Sequence, residues 1–284
     1  MLAAIIGYPL GHSLSPVIHN AGFQALGLDV HYEAWPVPPA ALPAAVERVR
    51  GEEMLGMSVT IPHKQAVMPL LDEIDPVAAA IGSVNTIVKR DGRLIGYNTD
   101  KEGFMRPLRL AGCDPQGLNA LVLGVGGSER AVAYGLVEAG VASIALAGRR
   151  PERVEAAASQ LEATAPNKAP VARVPWTADA LAAAAANADL VVNCTPVGMR
   201  HTPQEHESPL AESMLRPGLW VVDIVYNPLE TLLLRLARKA GARPVAGLAM
   251  LVYQGAAQQA LWTGREPPVD IMLKAAEAAL AERE

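Results

Sequence analysis

NALVLGVGGSERAVAYGLVEAG, residues 119–140, carries the pattern from which the architecture follows. A continuous apolar strand, Asn119–Leu123, leads into the glycine-rich loop Gly124–Ser128, and a helix is predicted over Ala131–Ala139. Apolar strands of this kind are typical of parallel sheets that are buried on both faces. In that setting the backbone N–H groups of a glycine loop approach a pyrophosphate at the positive end of the following helix. The pattern therefore favours a dinucleotide-binding loop over a plain turn between strand and helix.

The next strand indicates which dinucleotide such a loop would bind. The predicted strand Ser143–Ala147 ends before Gly148, and it is followed by Arg149, Arg150 and, one turn on, Arg153. An acidic residue at this point binds the 2′-hydroxyl of NAD, whereas arginine accommodates the 2′-phosphate of NADP. An ordinary solvated basic turn is the alternative, but the position at the strand end favours NADP.

Another loop, after the predicted strand Asp189–Asn193, is expected to border the same cofactor crevice. It contains Thr195, a candidate cofactor residue, and Cys194, for which inert packing is the prediction because it directly follows a buried strand. A cluster of polar residues comes next in the chain: His201, Glu205, His206 and Glu207. Because polar residues in a proline-containing loop are far more often solvated than metal ligands, no metal site is predicted.

The first hundred residues supply the reactive side chains, at the predicted ends of strands. Ser13 and Ser15 stand two positions apart, so in an extended segment both hydroxyls lie on one side and suit a carboxylate. The alternative is that Ser15 only caps a helix. Thr60 ends one predicted strand and Lys64 follows it at the start of a helix, and Asp100 closes another strand. Each could singly be a cap or a surface group, but together they indicate an alcohol-oxidising cleft facing the dinucleotide domain.

Strands and helices alternate along the whole chain, which predicts an α/β protein built from βαβ units. The other predicted strands are Leu2–Gly7, His31–Val37, Met54–Thr60, Ile81–Lys89, Arg93–Tyr97 and Trp220–Val225, with a hairpin turn at Arg90-Asp91-Gly92. The other predicted helices are Pro16–Leu26 with Ser15 as its N-cap, Leu42–Arg50, Lys64–Leu71, Gly103–Ala111, Pro151–Leu161, Ala178–Ala186, Leu251–Trp262 and Ile271–Ala281.

Composition narrows the class of protein. The 284 residues are 51% hydrophobic and 19% charged, which predicts packed cores and two domains. A net charge of −5 argues against nucleic-acid binding. The two cysteines, Cys113 and Cys194, exclude a disulfide framework and suit a reducing, cytoplasmic location. No apolar run approaches the length of a membrane span, and no signal peptide is recognisable at the N-terminus.

Eight motifs, spread over nearly the whole chain, give the sequence a resemblance to a known family. They are GYPLGHSLSPVIHN (7–20), SVTIPHK (58–64), GSVNT (82–86), GYNTDKEG (96–103), GVGGSERA (124–131), NCTPVGM (193–199), DIVYNPLET (223–231) and GLAMLVYQGAAQ (247–258). In these motifs and their order the sequence resembles the shikimate dehydrogenase family. The resemblance implies an N-terminal α/β substrate domain (1–102), a Rossmann-type NADP-binding domain (103–246) and C-terminal helices (247–284) that return to the first domain.

The resemblance also implies individual roles. Lys64 would be the acid–base residue, paired with Asp100. Ser13 and Ser15 would bind the carboxylate of the substrate. Its ring hydroxyls would be bound by Thr60, Asn85, Asp100 and Gln254, and Tyr226 would border the substrate. The pyrophosphate of the cofactor would be bound by Gly124, Gly126, Gly127 and Ser128. The 2′-phosphate would be bound by Arg149, Arg150 and Arg153. Other parts of the cofactor would contact Thr195, Ile224 and Gly247.

Two positions depart from the family's usual pattern. Ser58 stands where the family usually has Asn, and Gly148 stands where the family's turn often has Asn. The implied reaction is reversible hydride transfer between NADP(H) and shikimate, without a metal. A quinate/shikimate dehydrogenase of broader specificity and a non-catalytic NADP-sensing protein are the alternatives. Whether the protein is a monomer or a homodimer is left open.

Overall fold

The computed structural model describes residues 1–11 and 13–282, so that His12, inside the motif at 7–20, lies outside the described residues. The chain divides into two compact units. Unit 1 combines residues 1–103 with the residues from 251 onward, and unit 2 comprises residues 104–250. The borders of the two units, after residues 103 and 250, lie close to the domain borders predicted from the sequence, at residues 102 and 246. The assignment of one domain to substrate and the other to NADP stays a prediction.

Unit 1 begins with a mixed sheet that is surrounded by short helices. Its strands are β1 (Leu2–Gly7), β2 (His31–Pro36), β3 (Met54–Val59), β4 (Glu73–Ile74), β5 (Thr86–Arg90) and β6 (Arg93–Tyr97), in the order β2-β1-β3-β5-β6-β4. Its first helices are α1 (Ser15–Ala25), α2 (Leu42–Glu47), α3 (His63–Ala66) and α4 (Pro76–Ile81), while α5 (Asp100–Leu110) begins in unit 1 and ends in unit 2. The strands β1, β2 and β3 are parallel, whereas β5 pairs antiparallel with β3 and β6.

Unit 2 is a doubly wound parallel sheet. Its strands are β7 (Asn119–Leu123), β8 (Ser143–Gly148), β9 (Val171–Pro175), β10 (Leu190–Asn193), β11 (Trp220–Asp223) and β12 (Arg243–Ala246). Its helices are α6 (Gly127–Glu138), α7 (Pro151–Thr164), α8 (Ala178–Asn187) and α9 (Leu232–Lys239). The order β12-β11-β10-β7-β8-β9 reverses direction between β7 and β10. Ligands of open α/β sheets bind at such a switch point, beyond the carboxyl ends of the strands.

The chain returns to unit 1 through α10 (Leu248–Thr263), and α11 (Val269–Ala281) then packs against α1. Aliphatic side chains fill most of the cores, as the scarcity of aromatic residues predicts. In unit 1, Phe23, Tyr32 and Trp262 form an aromatic cluster on the face of the sheet where β1 contributes Ala3 and Ile5. The core of unit 2 is made largely of Leu, Val and Ala from the sheet, α8 and α9.

The prediction of a strand over Ile81–Lys89 is wrong in its first half. Residues 76–81 form α4, whose first turn is capped by Asp75, with Oδ1 accepting from the amides of Val77 (3.0 Å) and Ala78 (3.3 Å). Gly82 ends that helix in the left-handed conformation, at φ 68°. The strand begins only at Thr86 and runs into the predicted hairpin, where Asp91 and Gly92 have φ values of 49° and 76°.

Other predicted boundaries also need correction. The helices predicted over Leu42–Arg50 and Lys64–Leu71 each break into an α-helical part and a 3₁₀ turn, Arg48–Arg50 in the first case and Met68–Leu70 in the second. Further 3₁₀ turns occupy Pro39–Ala41 and Glu212–Met214. Five elements were not predicted from the sequence: β4, β9, β12, α4 and α9. Of these, β9 and β12 lie at the two edges of the unit 2 sheet, and each contains a proline, which weakens a strand pattern.

Candidate active site

In unit 1 a buried lysine and a buried aspartate form an ion pair. Lys64 lies in α3, just after β3, and Asp100 is the first residue of α5. Their exposed fractions are 8% and 4%, and the Lys64 ammonium donates to Asp100 Oδ2. A charge so far from water is tolerated when it is paired and hydrogen-bonded. The pair leaves further ammonium N–H groups available to a ligand.

Asn85 holds the other oxygen of Asp100. Its Nδ2 donates to Asp100 Oδ1 at 2.8 Å and to Gln254 Oε1 at 3.4 Å. Its Oδ1 accepts from the hydroxyl of Thr86 at 2.7 Å and from the amide of Thr99 at 2.8 Å. With donors on one side and acceptors on the other, only one orientation of the amide satisfies all these partners. The structure therefore brings Lys64, Asn85, Asp100 and Gln254 together.

The serine pair is arranged differently from the sequence-based expectation. Leu14 between them is in the helical region (φ −84°, ψ −4°), so the segment is not extended and the argument from strand alternation is wrong. Ser15 is the first residue of α1, not its N-cap, and its amide donates to Ser13 Oγ at 3.2 Å. This contact uses the acceptor side of the Ser13 hydroxyl and leaves its proton available.

A second set of polar groups, not predicted from the sequence, lies behind Asn85. Tyr32 donates to Ser58 Oγ at 2.6 Å, and Ser58 donates to Gln258 Oε1 at 2.8 Å. Gln258 Nε2 then donates to Thr86 Oγ1 at 3.1 Å, and Thr86 donates to Asn85. A one-directional chain of hydrogen bonds thus runs from Tyr32 to Asn85 and on to Asp100.

His19 joins this chain as a neutral imidazole. It is fully buried, it stacks on Tyr32 with ring centroids 4.2 Å apart, and its Nε2 lies 3.1 Å from Gln258 Oε1. Burial lowers the pKa of His19 to about 3, although the hydrogen bond to the Gln258 oxygen opposes the shift. Because the Gln258 oxygen is an acceptor, Nε2 carries the proton.

In unit 2 the glycine loop after β7 has the form of a phosphate cradle. Gly124 has φ 101°, and a Cβ there would lie 3.0 Å from the backbone of Cys194, so only glycine fits. A Cβ at Gly126 would meet nothing within 4 Å among the described residues, which leaves space above the loop. Gly126 is also the N-cap of α6, and no described side chain caps that helix. The first amides of α6 are therefore free to bind an anion.

The arginine cluster lies just beyond β8. Arg149, Arg150 and Arg153 are all exposed, and among the described residues no side chain pairs with them. Gly148 ends the strand, and a Cβ there would lie 2.8 Å from Val125 Cγ2. Val125 of the loop thus occupies the space that a larger residue at position 148 would need. This accounts for the departure from the family's Asn.

A buried aspartate at the end of β11 accepts hydrogen bonds from the end of β10 and from the segment that follows β11. Asp223 accepts from Asn193 Nδ2 at 2.9 Å and from the Thr231 hydroxyl at 2.6 Å. Asn193 Oδ1 in turn accepts from the Thr195 hydroxyl at 2.7 Å. Burial raises the pKa of Asp223 to about 6, although these hydrogen bonds oppose the shift.

Two further predicted cofactor residues lie beside that aspartate. A Cβ at Gly247 would lie 2.5 Å from the carbonyl group of Ile224, so the two backbones are in close contact. Tyr226 follows on the same segment of unit 2.

Comparison with known proteins decides the family. Residues 5–87 match the model of the shikimate dehydrogenase substrate binding domain, and residues 247–277 match that of the shikimate 5′-dehydrogenase C-terminal domain. A shikimate dehydrogenase (NADP(+)) of Moorella thermoacetica is 50% identical over 272 residues, which cover 95% of this chain and 90% of that protein. The chain belongs to the shikimate dehydrogenase family. A second member, from Symbiobacterium thermophilum, is 50% identical over 281 residues, 98% of this chain and 94% of that protein.

Solved structures of similar proteins share the fold. The Thermus thermophilus enzyme in complex with NADP(H) and shikimate has a TM-score of 0.87 and 39% identity, covering 99% of this chain and 100% of that one. A quinate dehydrogenase from Corynebacterium glutamicum in complex with NAD has a TM-score of 0.89 and 33% identity, covering 98% and 99%. Membership therefore establishes the α/β fold, while quinate and shikimate enzymes both stand among the neighbours.

Neither a membrane-spanning helix nor a cluster of metal ligands is found among the described residues of this family member. Over the described ranges no helix is long and apolar enough to cross a membrane. In the same ranges no group of three or more His, Cys, Asp or Glu side chains could hold a metal ion. In the polar loop after β10, Glu205 Oε2 accepts from the amide of His201 at 2.9 Å.

Sequence reasoning about this family member missed two buried residues near the candidate sites. Gln258 had a readable signal, since it follows Gln254 by four residues and thus lies on the same face of α10. Glu129, at 2% exposure in the first turn of α6, had none beyond its place five residues after Gly124. Its burial depends on the packing of the whole unit.

Proposed function

We propose that this protein catalyses the reversible NADPH-linked reduction of 3-dehydroshikimate to shikimate, a step of aromatic amino-acid biosynthesis. The buried Lys64–Asp100 pair, held by Asn85 in a member of the shikimate dehydrogenase family, carries the proposal. A pure NADP sensor has no need of a buried acid–base pair. NADPH, when bound, supplies the hydride.

Lys64 supplies the proton. In the reductive direction the substrate's carbonyl oxygen at the 3-position becomes a hydroxyl, and the Lys64 ammonium is the donor for that oxygen. Asp100 holds the ammonium through Oδ2, and its own Oδ1 is held by Asn85 at 2.8 Å. In the oxidative direction the same proton returns to Lys64.

Substrate binding divides between hydroxyl and amide groups of the family motifs. We assign the carboxylate of shikimate to Ser13 and Ser15, because the Ser13 hydroxyl keeps its proton free for an anionic acceptor. The ring hydroxyls are assigned to Thr60, Asn85, Asp100 and Gln254, with Tyr226 bordering the substrate.

The residues of unit 2 suit NADP. The free amides of Gly126, Gly127 and Ser128 would hold the pyrophosphate, and Gly124 lets the backbone approach it. The unpaired guanidinium groups of the arginine cluster (Arg149, Arg150 and Arg153) would hold the 2′-phosphate. Thr195, Ile224 and Gly247 are assigned to the nicotinamide half.

Broader specificity is the second candidate function. It is favoured by one observation, the similarity to a quinate dehydrogenase that was solved with NAD. Quinate carries an extra hydroxyl at the carboxylate-bearing carbon, so Ser13 and Ser15 would have to accommodate it. We place the enzyme in the cytoplasm on its two free cysteines, Cys113 and Cys194, and expect no nucleic-acid partner.

A steady-state matrix tests the proposal. Shikimate and quinate are each oxidised with NADP and with NAD, and NADPH oxidation by 3-dehydroshikimate is followed in reverse. We expect the highest kcat/KM for shikimate with NADP. Comparable values for quinate would support the broader enzyme, and NADPH binding without turnover would support a sensor.

A further inference from the structure

Asp223 is a buried carboxylate at the carboxyl end of β11, in the doubly wound sheet of unit 2. Its exposed fraction is 0%. Its Oδ1 accepts from Asn193 Nδ2 at 2.9 Å and from the Val225 amide at 3.1 Å. Its Oδ2 accepts from the Thr231 hydroxyl at 2.6 Å. Hydrogen bonds that are accepted at both oxygens favour the ionised form of a carboxyl group. The hydride and proton transfers proposed above do not use this charge.

The charge of Asp223 has no cation partner among the described residues. Strand β11 lies between β10 and β12 and packs against α9, and β10 contains no charged residue. The charged side chains on the other two elements are all exposed: Arg243 on β12, and Arg235, Arg238 and Lys239 on α9. Arg238 is paired with Glu230, on the segment that follows β11. Burial, rather than a neighbouring charge, raises the pKa of Asp223 to about 6, so that the carboxyl is ionised at neutral pH and above.

The strand order indicates that this charge lies on the nicotinamide side of the cofactor site. A dinucleotide bound at the switch point extends across the carboxyl ends of the strands. The residues assigned to the pyrophosphate and to the 2′-phosphate follow β7 and β8, so the other half of the cofactor would extend beyond β10 and β11. Asp223 directly precedes Ile224, and a Cβ at Gly247 would lie 2.7 Å from the Asp223 carbonyl oxygen. Both neighbours are assigned to the nicotinamide half.

The two redox forms of the cofactor differ in charge at the nicotinamide. The ring of NADP⁺ is cationic and that of NADPH is neutral, whereas the phosphates are the same in both forms. A carboxylate that is shielded from water and not neutralised by a cation attracts a nearby positive charge more strongly than an exposed one does. The carboxylate of Asp223 therefore acts on one redox form and leaves the other nearly unaffected.

We propose that the buried charge of Asp223 strengthens the binding of NADP⁺ relative to that of NADPH. This inference rests on the proposed NADP-linked function. A group that binds the oxidised form of the cofactor more tightly than the reduced form favours, on the protein, the transfer of hydride from NADPH to the substrate. Asp223 thus helps to set the direction of the reaction without contacting the proton that Lys64 supplies.

The test is the pair of dissociation constants for NADP⁺ and NADPH, measured on the full chain at pH 8 without substrate. NADPH is titrated by its fluorescence, and NADP⁺ by displacement of NADPH. Asp223→Asn removes the charge and keeps the shape, since its oxygen still accepts from Asn193 and Val225 and the Thr231 hydroxyl is able to turn and accept from the new amide. We expect the constant for NADP⁺ to rise about tenfold, and that for NADPH to change by less than about threefold.

Thr231→Ala is the matched control for the structural contribution of the same hydrogen bonds. It removes one donor to the carboxylate but leaves the charge, so any loosening of the segment after β11 should weaken both redox forms by the same factor. An equal change of both constants in Asp223→Asn would overturn the inference, because it would leave Asp223 only a structural role.

If Asp223→Asn does not fold, the wild type at pH 5 and at pH 8 decides. Asp223 takes up a proton between these values, while the 2′-phosphate titrates alike in both redox forms and cancels in the ratio of the two constants. A several-fold loss of the preference for NADP⁺ at pH 5 supports the inference, and a constant ratio refutes it.

Turnover of 3-dehydroshikimate is recorded in parallel, so that the two proposals fail separately. Absent turnover with a ratio that depends on the Asp223 charge would count against the proposed activity alone. Normal turnover with an unchanged ratio would count against this inference alone.

Discussion

A single carboxylate stabilises the charge of Lys64. Hydrogen bonds to other segments of unit 1 fix the position of the residue. The amide of Val84 donates to the Lys64 carbonyl at 2.8 Å, and the ammonium contacts Asp100. Asp100, in turn, has its amide bonded to Asn98 Oδ1 at 3.0 Å. The position of the amine thus depends on several elements of unit 1, while its charge is paired with one carboxylate.

Replacing Lys64 tests its chemical role. We expect Lys64→Ala to lower turnover by about 10²–10⁴-fold, the usual effect of losing an acid–base group. Shikimate affinity should change far less, because Ser13, Ser15 and Asn85 remain. Turnover and the shikimate dissociation constant are measured on protein whose folding is checked by circular dichroism, since the change leaves Asp100 buried without its cation, at a cost of about 3–5 kcal/mol.

Lys274→Ala is the matched control for that variant, because Lys274 is exposed on α11 of the same unit. It should leave turnover unchanged. Near-normal turnover in folded Lys64→Ala would remove Lys64 from the mechanism and leave it only a binding role.

The arginine cluster makes a separate prediction about the cofactor. Arg149→Ala should raise the KM for NADP by roughly 10–100-fold, equivalent to the loss of a charge-assisted hydrogen bond worth about 1.5–3 kcal/mol. The KM for NAD, which lacks the 2′-phosphate, should stay nearly constant. Arg109→Ala, at an exposed arginine of α5, serves as the control. An equal loss with both cofactors would show that Arg149 does not contact the 2′-phosphate.

At the scale of elements, α10 connects the candidate site with the sheet of unit 1. Gln254, Gln258 and Trp262 recur every four residues and so share one face of the helix. They bond, in turn, to the side chain of Asn85, to Thr86 and to the carbonyl of Ile87. One helix face therefore contacts three consecutive residues, Asn85 directly before β5 and the first two residues of that strand.

The central glutamine of that face is the informative one to change. We expect Gln258→Leu to lower the free energy of unfolding by about 1–3 kcal/mol, because the Ser58 and His19 donors lose their buried acceptor. The KM for shikimate should also rise, since Asn85 loses the group that holds Thr86. Urea unfolding and steady-state kinetics give the two readouts.

Gln24→Leu, on the exposed side of α1, controls for the loss of an amide in the same unit. Wild-type stability in Gln258→Leu would mean that water or another group replaces the lost partner. The hydrogen-bond chain from Tyr32 would then contribute little.

At the scale of the whole molecule, the two units differ in how the chain builds them. Unit 2 is one continuous segment, whereas unit 1 needs residues from both ends of the chain. Across that join, Gln259 Nε2 donates to the His19 carbonyl at 2.8 Å and Trp262 Nε1 donates to the Ile87 carbonyl at 3.0 Å. Trp262 also packs so closely on Gly56 that a Cβ there would lie 2.2 Å from its Nε1.

This difference predicts the behaviour of fragments. Residues 104–250 expressed alone should fold and unfold cooperatively on heating, since their sheet and core are complete. Residues 1–103 alone should not, because they leave Phe23 and Tyr32 without Trp262. Circular dichroism during thermal unfolding provides the measurement, with the full chain as reference. A cooperative transition in fragment 1–103 would contradict the prediction.

The local pattern of the sequence was enough for the features whose cause is local. The strand Asn119–Leu123, the glycine loop after it and the hairpin at Asp91-Gly92 were all predicted, because side-chain periodicity and the backbone freedom of glycine act within a few residues. The motif order was likewise sufficient for the family. The glycine loop, the arginines and the Lys64 and Asp100 candidates came from the residue pattern, whereas Asn85, Gln254 and Tyr226 came from the family resemblance, and the roles of all of them are predictions.

Only the tertiary structure decided which polar groups meet. Ser58 and Gln258 are 200 positions apart in the chain, yet they share a hydrogen bond of 2.8 Å. No local pattern could place Glu129 in an apolar interior or neutralise His19, because burial depends on elements that arrive from elsewhere in the chain. Residue type and spacing determine what a side chain is able to do, and the packed fold selects its partner and its exposure to water.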